Sequence, residues 1–507
     1  MRTCTRPLIV IVGLLFAALT ARASTPTWSN DVGSIIYKRC GSCHVSGGIA
    51  PFTLASYDDA VAMNFAVMQA VRTRSMPPWP PAEQEKPFAH SRSMTEQEIA
   101  IIEDWVLNGM PRGDSLREPE PPRPLVGSRL PVQPDWSERI PSYTSRATSV
   151  DVYQYFPIRT NFSTDRYVRG FEVLPGDPSM VHHALIFVDT TGTALRNDAQ
   201  TPNEPGFPGF GGDAGKLIGV WAPGAPPLLL PDQFGFRLPK GATIVLQIHY
   251  PAGTQGKVDS TRLNLVFTAA SPVREVLVEP LLNHVAPSLQ TGPFILPPNR
   301  VTTMRNQFRI PFGVYTLLGV APHMHLLGTS IAAFAVDAAD DTTSLVSIPE
   351  WDFHWQGNYL YRNPIVVRGG TMVHGTATYD NTTNNKHNPS SPPREVRLGE
   401  ATTDEMFLVY FMFTPYRPGD ESLDLEALTT PTSVAQERSR VQLHPNPASS
   451  TITIDMKGAS TAILSDMMGR IVKTVNEPNG LVDISDLPNG SYIVRVGGAC
   501  SMLSVVR

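Results

Sequence analysis

Cysteine is scarce, with four in 507 residues. Cys4 lies in an N-terminal leader, Cys40 and Cys43 share one short motif, and Cys500 stands alone. No structural disulfide is therefore expected in the mature chain, although the leader implies an oxidising route. Long apolar runs are also missing. The leader's Leu8 to Leu19 is too short for a comfortable span, and no later stretch suits one, so no transmembrane anchor is expected. Neither sign of charge dominates. A net charge of −5 offers no basic surface and excludes nucleic acid as an expected partner. Helical periodicity fades after about residue 115 while proline is abundant (48 residues), which favours all-β domains with many turns.

What is present begins with the leader. Arg2 and Arg6, the apolar core and Ala21-Arg22-Ala23 read as an export signal over residues 1–23, with Ser24 opening the mature chain. The length is too great for one compact core and implies several domains.

Residues 24–115 read as a small all-α domain. Helices are expected over 31–39, 57–74 and 95–108, the last with a capping pattern, Thr95-x-x-Glu98. Cys40-Gly41-Ser42-Cys43-His44 is C-x-x-C-H, the attachment pattern of a c-type haem, in which both thiols become thioethers and His44 supplies an imidazole. A redox C-x-x-C wants a βαβ context and a zinc site wants a second cysteine pair; neither is present. The other axial ligand is expected to be a loop methionine. Met76, in Arg74-Ser75-Met76-Pro77-Pro78-Trp79, fits best. Met63 and Met68 suit the core, and Met94 sits just before a helix. The segment resembles a class I cytochrome c domain, which implies electron transfer rather than oxygen activation.

Residues 116–150, rich in Pro, Arg and Ser, read as a stiff extended linker. Short strands between turns follow. Three histidine motifs fall among them: His182-His183, Gln247-Ile248-His249-Tyr250 and Pro322-His323-Met324-His325. On a strand His323 and His325 share a face, about 6.5–7 Å apart at Cα, close enough to chelate one ion. Tandem His182-His183 cannot share a face without a bulge or a strand end.

In this order, and followed by Asp404-Glu405-Met406, the motifs resemble the copper type II, ascorbate-dependent monooxygenases, the peptidylglycine α-hydroxylating and dopamine β-monooxygenases. The resemblance covers roughly residues 150–420. It implies two jelly-roll-like β-sandwiches, 151–285 and 286–430, each holding one of two copper ions beside a common cleft. It further implies His182, His183 and His249 as ligands of an electron-transfer copper, and His323, His325 and Met406 as ligands and catalytic centre of an oxygen-binding copper. Met372 and Met412 are alternatives to Met406. Imidazole with a thioether suits copper cycling through Cu(I), whereas zinc rarely takes a thioether. Gln247 is a candidate to orient His249 or a water, and Tyr410, expected on Met406's strand face, a candidate substrate contact. Trp351 to Gln356 could line a pocket or pack in a core. His374 and His387 are unassigned. The sequence departs from the family in lacking its disulfides and in placing Leu408 where the peptide-hydroxylating branch has a polar contact, which puts recognition of a peptide carboxylate in doubt.

Residues 438–507 carry short alternating segments and the phrases Pro445-Asn446-Pro447, Asp466-x-x-Gly469-Arg470 and Leu487-x-x-Gly490-x-Tyr492. They suggest a small β-sandwich of about seven strands and resemble the type IX secretion sorting domain, implying passage through that machinery and release or attachment at the outer surface.

The expectation is an exported monooxygenase hydroxylating a C–H bond of an organic substrate with O2. The haem, fed by its own electron donor, would reduce copper in place of or beside ascorbate or another external reductant. The alternatives are a non-catalytic copper-binding or electron-transfer surface protein and, more weakly, a binding scaffold with incidental histidines.

Overall fold

The computed structural model describes residues 25–122, 127–209, 214–428, 442–455, 461–466, 470–476, 481–496 and 499–507. The leader and Cys4 lie outside them. The chain divides into two units, 1–429 and 430–507.

The first unit opens with helices Gly33–Cys40, Tyr57–Ala62, Asn64–Arg72 and Glu96–Leu107. The single helix expected over 57–74 is broken at Met63, where Asn64 Nδ2 donates to the Val61 carbonyl at 2.6 Å and competes with the helical ladder. The last helix begins as expected. Thr95 and Glu98 cap each other reciprocally. Trp28, fully buried, centres this core, packed edge-on to Tyr37 and Tyr57 and against Trp105. After these helices' Met76 turn, the chain is stitched to a later sheet. Ala82 N donates to Ser347 O, Ala89 N to Leu360 O and Arg362 N to Pro87 O, each at 2.8 Å, and Phe88 stacks on Tyr361.

A first sandwich follows. One sheet contains Trp136–Arg139, Arg262–Phe267, Arg166–Leu174 and Phe234–Leu238; the other contains Val152–Arg159, Thr243–Tyr250, His183–Asp189 and Lys216–Trp221. Val168, Phe171 and Val173 of one face meet Ile186, Ile244, Leu246 and Ile248 of the other. The segment expected as linker is in part structural. Trp136–Arg139 and Tyr143–Thr144 are strands, and Leu130, Ile140, Tyr143 and Ala147 are buried. Runs of four and two residues are too short for alternation to register in sequence.

The second sandwich joins Leu277–Leu282, Leu408–Pro415, Val314–His323 and Tyr359–Arg368 in one sheet, and Arg300–Arg309, Met372–Asn381, Gly328–Val336 and Thr342–Ile348 in the other. The chain thus crosses to this sandwich at residue 277. A buried ion pair ties the two sandwiches. Arg274 Nη1 and Nη2 meet both oxygens of Asp420 at 2.7 and 2.6 Å, and Thr316 Oγ1 donates to Asp420 at 2.6 Å.

The second unit has seven strands among its described residues, in sheets of three and four, around Ile452, Ile454, Leu464, Val494 and Leu503. No described helix is long and apolar enough to cross a membrane.

Candidate metal centres

The Thr243–Tyr250 strand is buried along its whole length and pairs with strands on both sides, so its register decides what meets what. His249 falls opposite His183 on one side and Tyr153 on the other. His182 lies just before the strand that begins at His183, the strand end that a tandem pair needs, and its N–H bonds the His249 carbonyl at 3.0 Å. The side chains converge. Nδ1 of His183 is 3.1 Å from Nδ1 of His182 and 3.4 Å from Nδ1 of His249, and the three ligand atoms all lie within 4.8 Å of one another. His249 turns its other nitrogen to Asp151, Nε2 to Oδ2 at 2.9 Å, and its ring stacks on Tyr153 with centroids 4.3 Å apart. Burial pushes the His182 pKa down to about 4 and that of His183 well below its ordinary value, so both rings are neutral and available as ligands.

The second histidine pair departs from expectation in its backbone. The strand ends at His323, and His325 lies off it, just before the turn at Leu326-Leu327. The rings nonetheless lie with centroids 5.1 Å apart. The turn is held by Glu405, whose fully buried carboxylate accepts N–H bonds from His325 at 2.8 Å, Leu327 at 2.6 Å and Met406 at 3.1 Å. Burial drives its pKa up to about 8 against the pull of those N–H groups. Each imidazole is oriented through Nδ1. His323 Nδ1 donates to Gln356 Oε1 at 2.5 Å, and Gln356 Nε2, bonded to the Phe353 carbonyl at 2.9 Å, fixes which amide atom faces the ring. His325 Nδ1 donates to the Asp404 carbonyl at 3.1 Å. Donation from Nδ1 leaves the lone pair of each neutral ring on Nε2. Burial pushes the pKa of His323 to about 3 and that of His325 to about 4.

Met406 lies in the loop before the Leu408–Pro415 strand, not on the strand, so the shared strand face expected with Tyr410 does not exist; both still line one cavity. That cavity, about 330 Å³, is bordered by His183 on one side and by His323, His325 and Met406 on the other. Met372 belongs to the strand paired with Arg309 and Val336, and Met412 is buried in apolar packing. Gln247 reaches the cavity but donates to the Tyr155 hydroxyl at 2.5 Å, not to His249. The Trp351–Gln356 cluster serves the site. Phe353 and Gln356 line the cavity, and His354 approaches His182 with ring centroids 5.9 Å apart. His374 stacks on Phe334, and His387 is exposed, 6.4 Å from His354 between ring centroids. Sequence reasoning missed Asp151, His284 and the partnerships of Gln356 and Glu405. Glu405, beside Met406 in a quoted motif, and Gln356, in the Trp351–Gln356 cluster, left local signals; Asp151 and His284 left none.

In the helical region Cys40 and Cys43 are unpaired thiols, Cys40 buried, with its pKa pushed by burial up to about 12. His44 Nδ1 donates to the Phe52 carbonyl at 3.1 Å, which leaves Nε2 free. Met94 is buried in the helical core, whereas Met76 is 39 % exposed on its loop. Cys43 also touches the first sandwich. A Cβ placed on Gly224 would lie 2.5 Å from its Sγ, and Gly224 itself sits at φ +76°.

No curated protein matches the chain. Among solved structures it is similar to a peptide-N(4)-(N-acetyl-β-D-glucosaminyl)asparagine amidase (11 % identity over 56 % of this chain and 91 % of that one, TM-score 0.22). PNGase F from Flavobacterium meningosepticum gives 10 % over 55 % and 89 %, TM-score 0.21. A tandem CBM22 domain of Paenibacillus barcinonensis Xyn10C gives 8 % over 55 % and 83 %, TM-score 0.14. Scores this low carry no functional weight. Residues 442–503 match the secretion system C-terminal sorting domain, which supports export or display at the outer surface. Residues 299–435, the bulk of the second sandwich, match the copper type II ascorbate-dependent monooxygenase C-terminal domain, which makes this part of the chain similar to copper oxidoreductases.

Proposed function

We propose that the chain is an exported copper monooxygenase that hydroxylates a C–H bond of an organic substrate, with a covalent c-type haem as electron source. The observation that carries the reading is the shared cavity, with one imidazole of a three-histidine cluster on one wall and two imidazoles and a thioether on the other. The donor set fits copper. All-nitrogen and nitrogen–sulfur sites of neutral, buried rings suit an ion that alternates between Cu(II) and Cu(I). His182, His183 and His249 would hold one ion through Nδ1, and His323 and His325 through Nε2 with Met406 the other. Copper supplies one-electron redox chemistry and reduction of O2 when bound. The overall balance is one C–H bond, O2, two electrons and two protons in, and an alcohol and water out.

The chain's own residues set geometry and access. Asp151, Gln356, the Asp404 carbonyl and Glu405 fix the rings and the loop that carry the donors. Tyr153, Phe353, Leu408 and Tyr410 make the cavity wall largely apolar and aromatic, which favours a substrate with such surface over a hydrated one. Free thiols at Cys40 and Cys43 and the oriented His44 fit a haem, with Met76 the candidate second axial ligand. The haem supplies one electron at a time when bound, and ascorbate is the other candidate reductant.

Metal analysis and EPR on wild type and Met406→Ile test the reading, with O2 uptake measured against hydroxylated product. Wild type is expected to hold two coppers and one haem iron per chain. The variant is expected to lose activity and one copper signature while keeping the three-histidine signature. Absence of copper overturns the reading, and copper without O2 uptake leaves an electron-transfer or copper-carrying surface protein. The haem's role has its own test: on stopped-flow mixing of reduced haem with Cu(II) protein, haem oxidation should track copper reduction, and no transfer refutes it.

A further inference from the structure

His284 follows the Leu277–Leu282 strand on a bend that its neighbours brace. Asn283 N–H bonds Ser288 Oγ at 3.1 Å, Val285 N–H bonds Asn283 Oδ1 at 3.1 Å, and Leu289 N–H bonds the Val285 carbonyl at 3.0 Å. The imidazole lies edge-on to Phe294 and borders the same cavity as His183, His323, His325 and Met406. Its Nδ1 accepts the Phe407 N–H at 3.3 Å. A backbone amide can only donate, so Nδ1 carries the lone pair and Nε2 carries the ring's proton. The fixed tautomer makes His284 a hydrogen-bond donor, unlike His323 and His325, whose Nδ1 atoms donate and whose Nε2 atoms are left to accept or ligate.

The rest of the wall narrows what such a donor can serve. Among the described residues the cavity lining contains no lysine or arginine, and its acidic member is Glu400. Without copper, a carboxylate entering it would be desolvated with no cationic side chain to meet it and would face Glu400; bound copper adds cations of its own, so the charge comparison is read on the copper-free chain. A neutral carbonyl or ether oxygen needs only one donor.

We propose that His284 is a substrate-positioning residue whose Nε2–H binds an uncharged oxygen acceptor on the substrate, and that the site selects neutral aromatic or apolar molecules bearing such an acceptor over carboxylates. The proposal rests on the cavity being the substrate site of the function proposed above, and names the class of molecule that site takes. One hydrogen bond between neutral groups is worth about 0.5–1.5 kcal/mol, a two- to twelve-fold preference.

The test uses three probes of similar size: acetophenone, which carries a neutral acceptor; ethylbenzene, which carries none; and benzoate, which is anionic. Binding to the full copper-loaded, reduced chain is measured by calorimetry and repeated after removal of copper with a chelator. Wild type is expected to bind acetophenone two- to twelve-fold more tightly than ethylbenzene, and the copper-free chain to bind benzoate weakest. His284→Phe should erase the acetophenone preference, bringing the acetophenone-to-ethylbenzene affinity ratio to about one. His284→Gln, whose amide can accept from Phe407 and still donate, should retain part of it and guards against a folding artefact. A preference that survives in His284→Phe, or benzoate as the tightest probe of the copper-free chain, overturns the proposal. The outcome is separable from that of the monooxygenase reading. The probe series on the copper-free chain judges His284, whereas metal content and O2 uptake judge the reaction.

Discussion

Replacing Glu405 tests whether one buried carboxylate organises the second candidate metal centre. Its two oxygens collect the N–H groups of His325, Leu327 and Met406, so it links the histidine turn to the methionine loop across about 80 positions of sequence. In Glu405→Ala three buried donors lose their acceptor. At about 1–3 kcal/mol each this sums to about 3–9 kcal/mol, comparable with the entire stability of about 5–15 kcal/mol typical of a native domain. The alanine variant should therefore fail to fold its second sandwich. Above pH 8, where the Glu405 carboxyl is ionised, Glu405→Gln keeps one oxygen and turns an amide N–H toward a backbone N–H, so one or two bonds are lost, a destabilisation of about 1–6 kcal/mol. The assay pairs urea unfolding with copper stoichiometry. The glutamine variant should fold with a lowered midpoint and weakened binding at the His323–His325–Met406 centre, while the His182–His183–His249 centre fills normally. A glutamine variant within the roughly 0.5 kcal/mol of an ordinary surface substitution, holding both ions as wild type does, would refute the reasoning.

Two further outcomes follow from other contacts. Burial works to raise the Asp420 pKa, but its bonds from Arg274, Thr316 and the Arg417 N–H outweigh it and leave the pKa below the ordinary aspartate value. The unfolded chain then takes up this proton more readily than the folded one, so the stabilisation is present above the unfolded pKa of about 4 and drains away as pH falls through the folded value. Asp420→Asn should cost about 3–5 kcal/mol near neutrality by stranding Arg274, and should flatten the acid loss; urea midpoints across a pH series measure both, and an unchanged acid slope would count against it. Asp151→Asn removes the anion behind His249 Nε2. Loss of such a partner typically weakens metal binding about 10–100-fold. Chelator competition at the three-histidine centre should show this, and an unaltered affinity would mean that Asp151 does not tune the ring.

The histidines themselves were legible in sequence because each motif is local. His182-His183 announces a strand end, and it lies at one. His323-x-His325 reads as a strand running into a turn at Leu326-Leu327-Gly328; the turn is there, but the strand stops at His323, before His325. The N–H groups of His325 and Leu327 that would have continued a ladder are diverted to Glu405, a partner no local window contains. Gln356 and Asp151 were invisible as partners for the same reason, since each meets its imidazole only after sheets have paired. His284 carried no motif at all; its place at the cavity comes from a bend after a strand that the sequence assigned to the neighbouring sandwich. The short strands inside the supposed linker failed on length alone, and the Thr95 cap succeeded because its four residues hold the whole interaction.

The stitching of residues 82–90 into the second sandwich and the touch of Cys43 on Gly224 of the first have a kinetic consequence. A carrier on a flexible leash must search for its acceptor, and its rate of delivery depends on leash length and on the local concentration that length creates. Here the helical segment is already berthed, so electron delivery from the haem proposed above would be indifferent to dilution, to viscosity and to lengthening of the 108–122 stretch, as long as the berth holds.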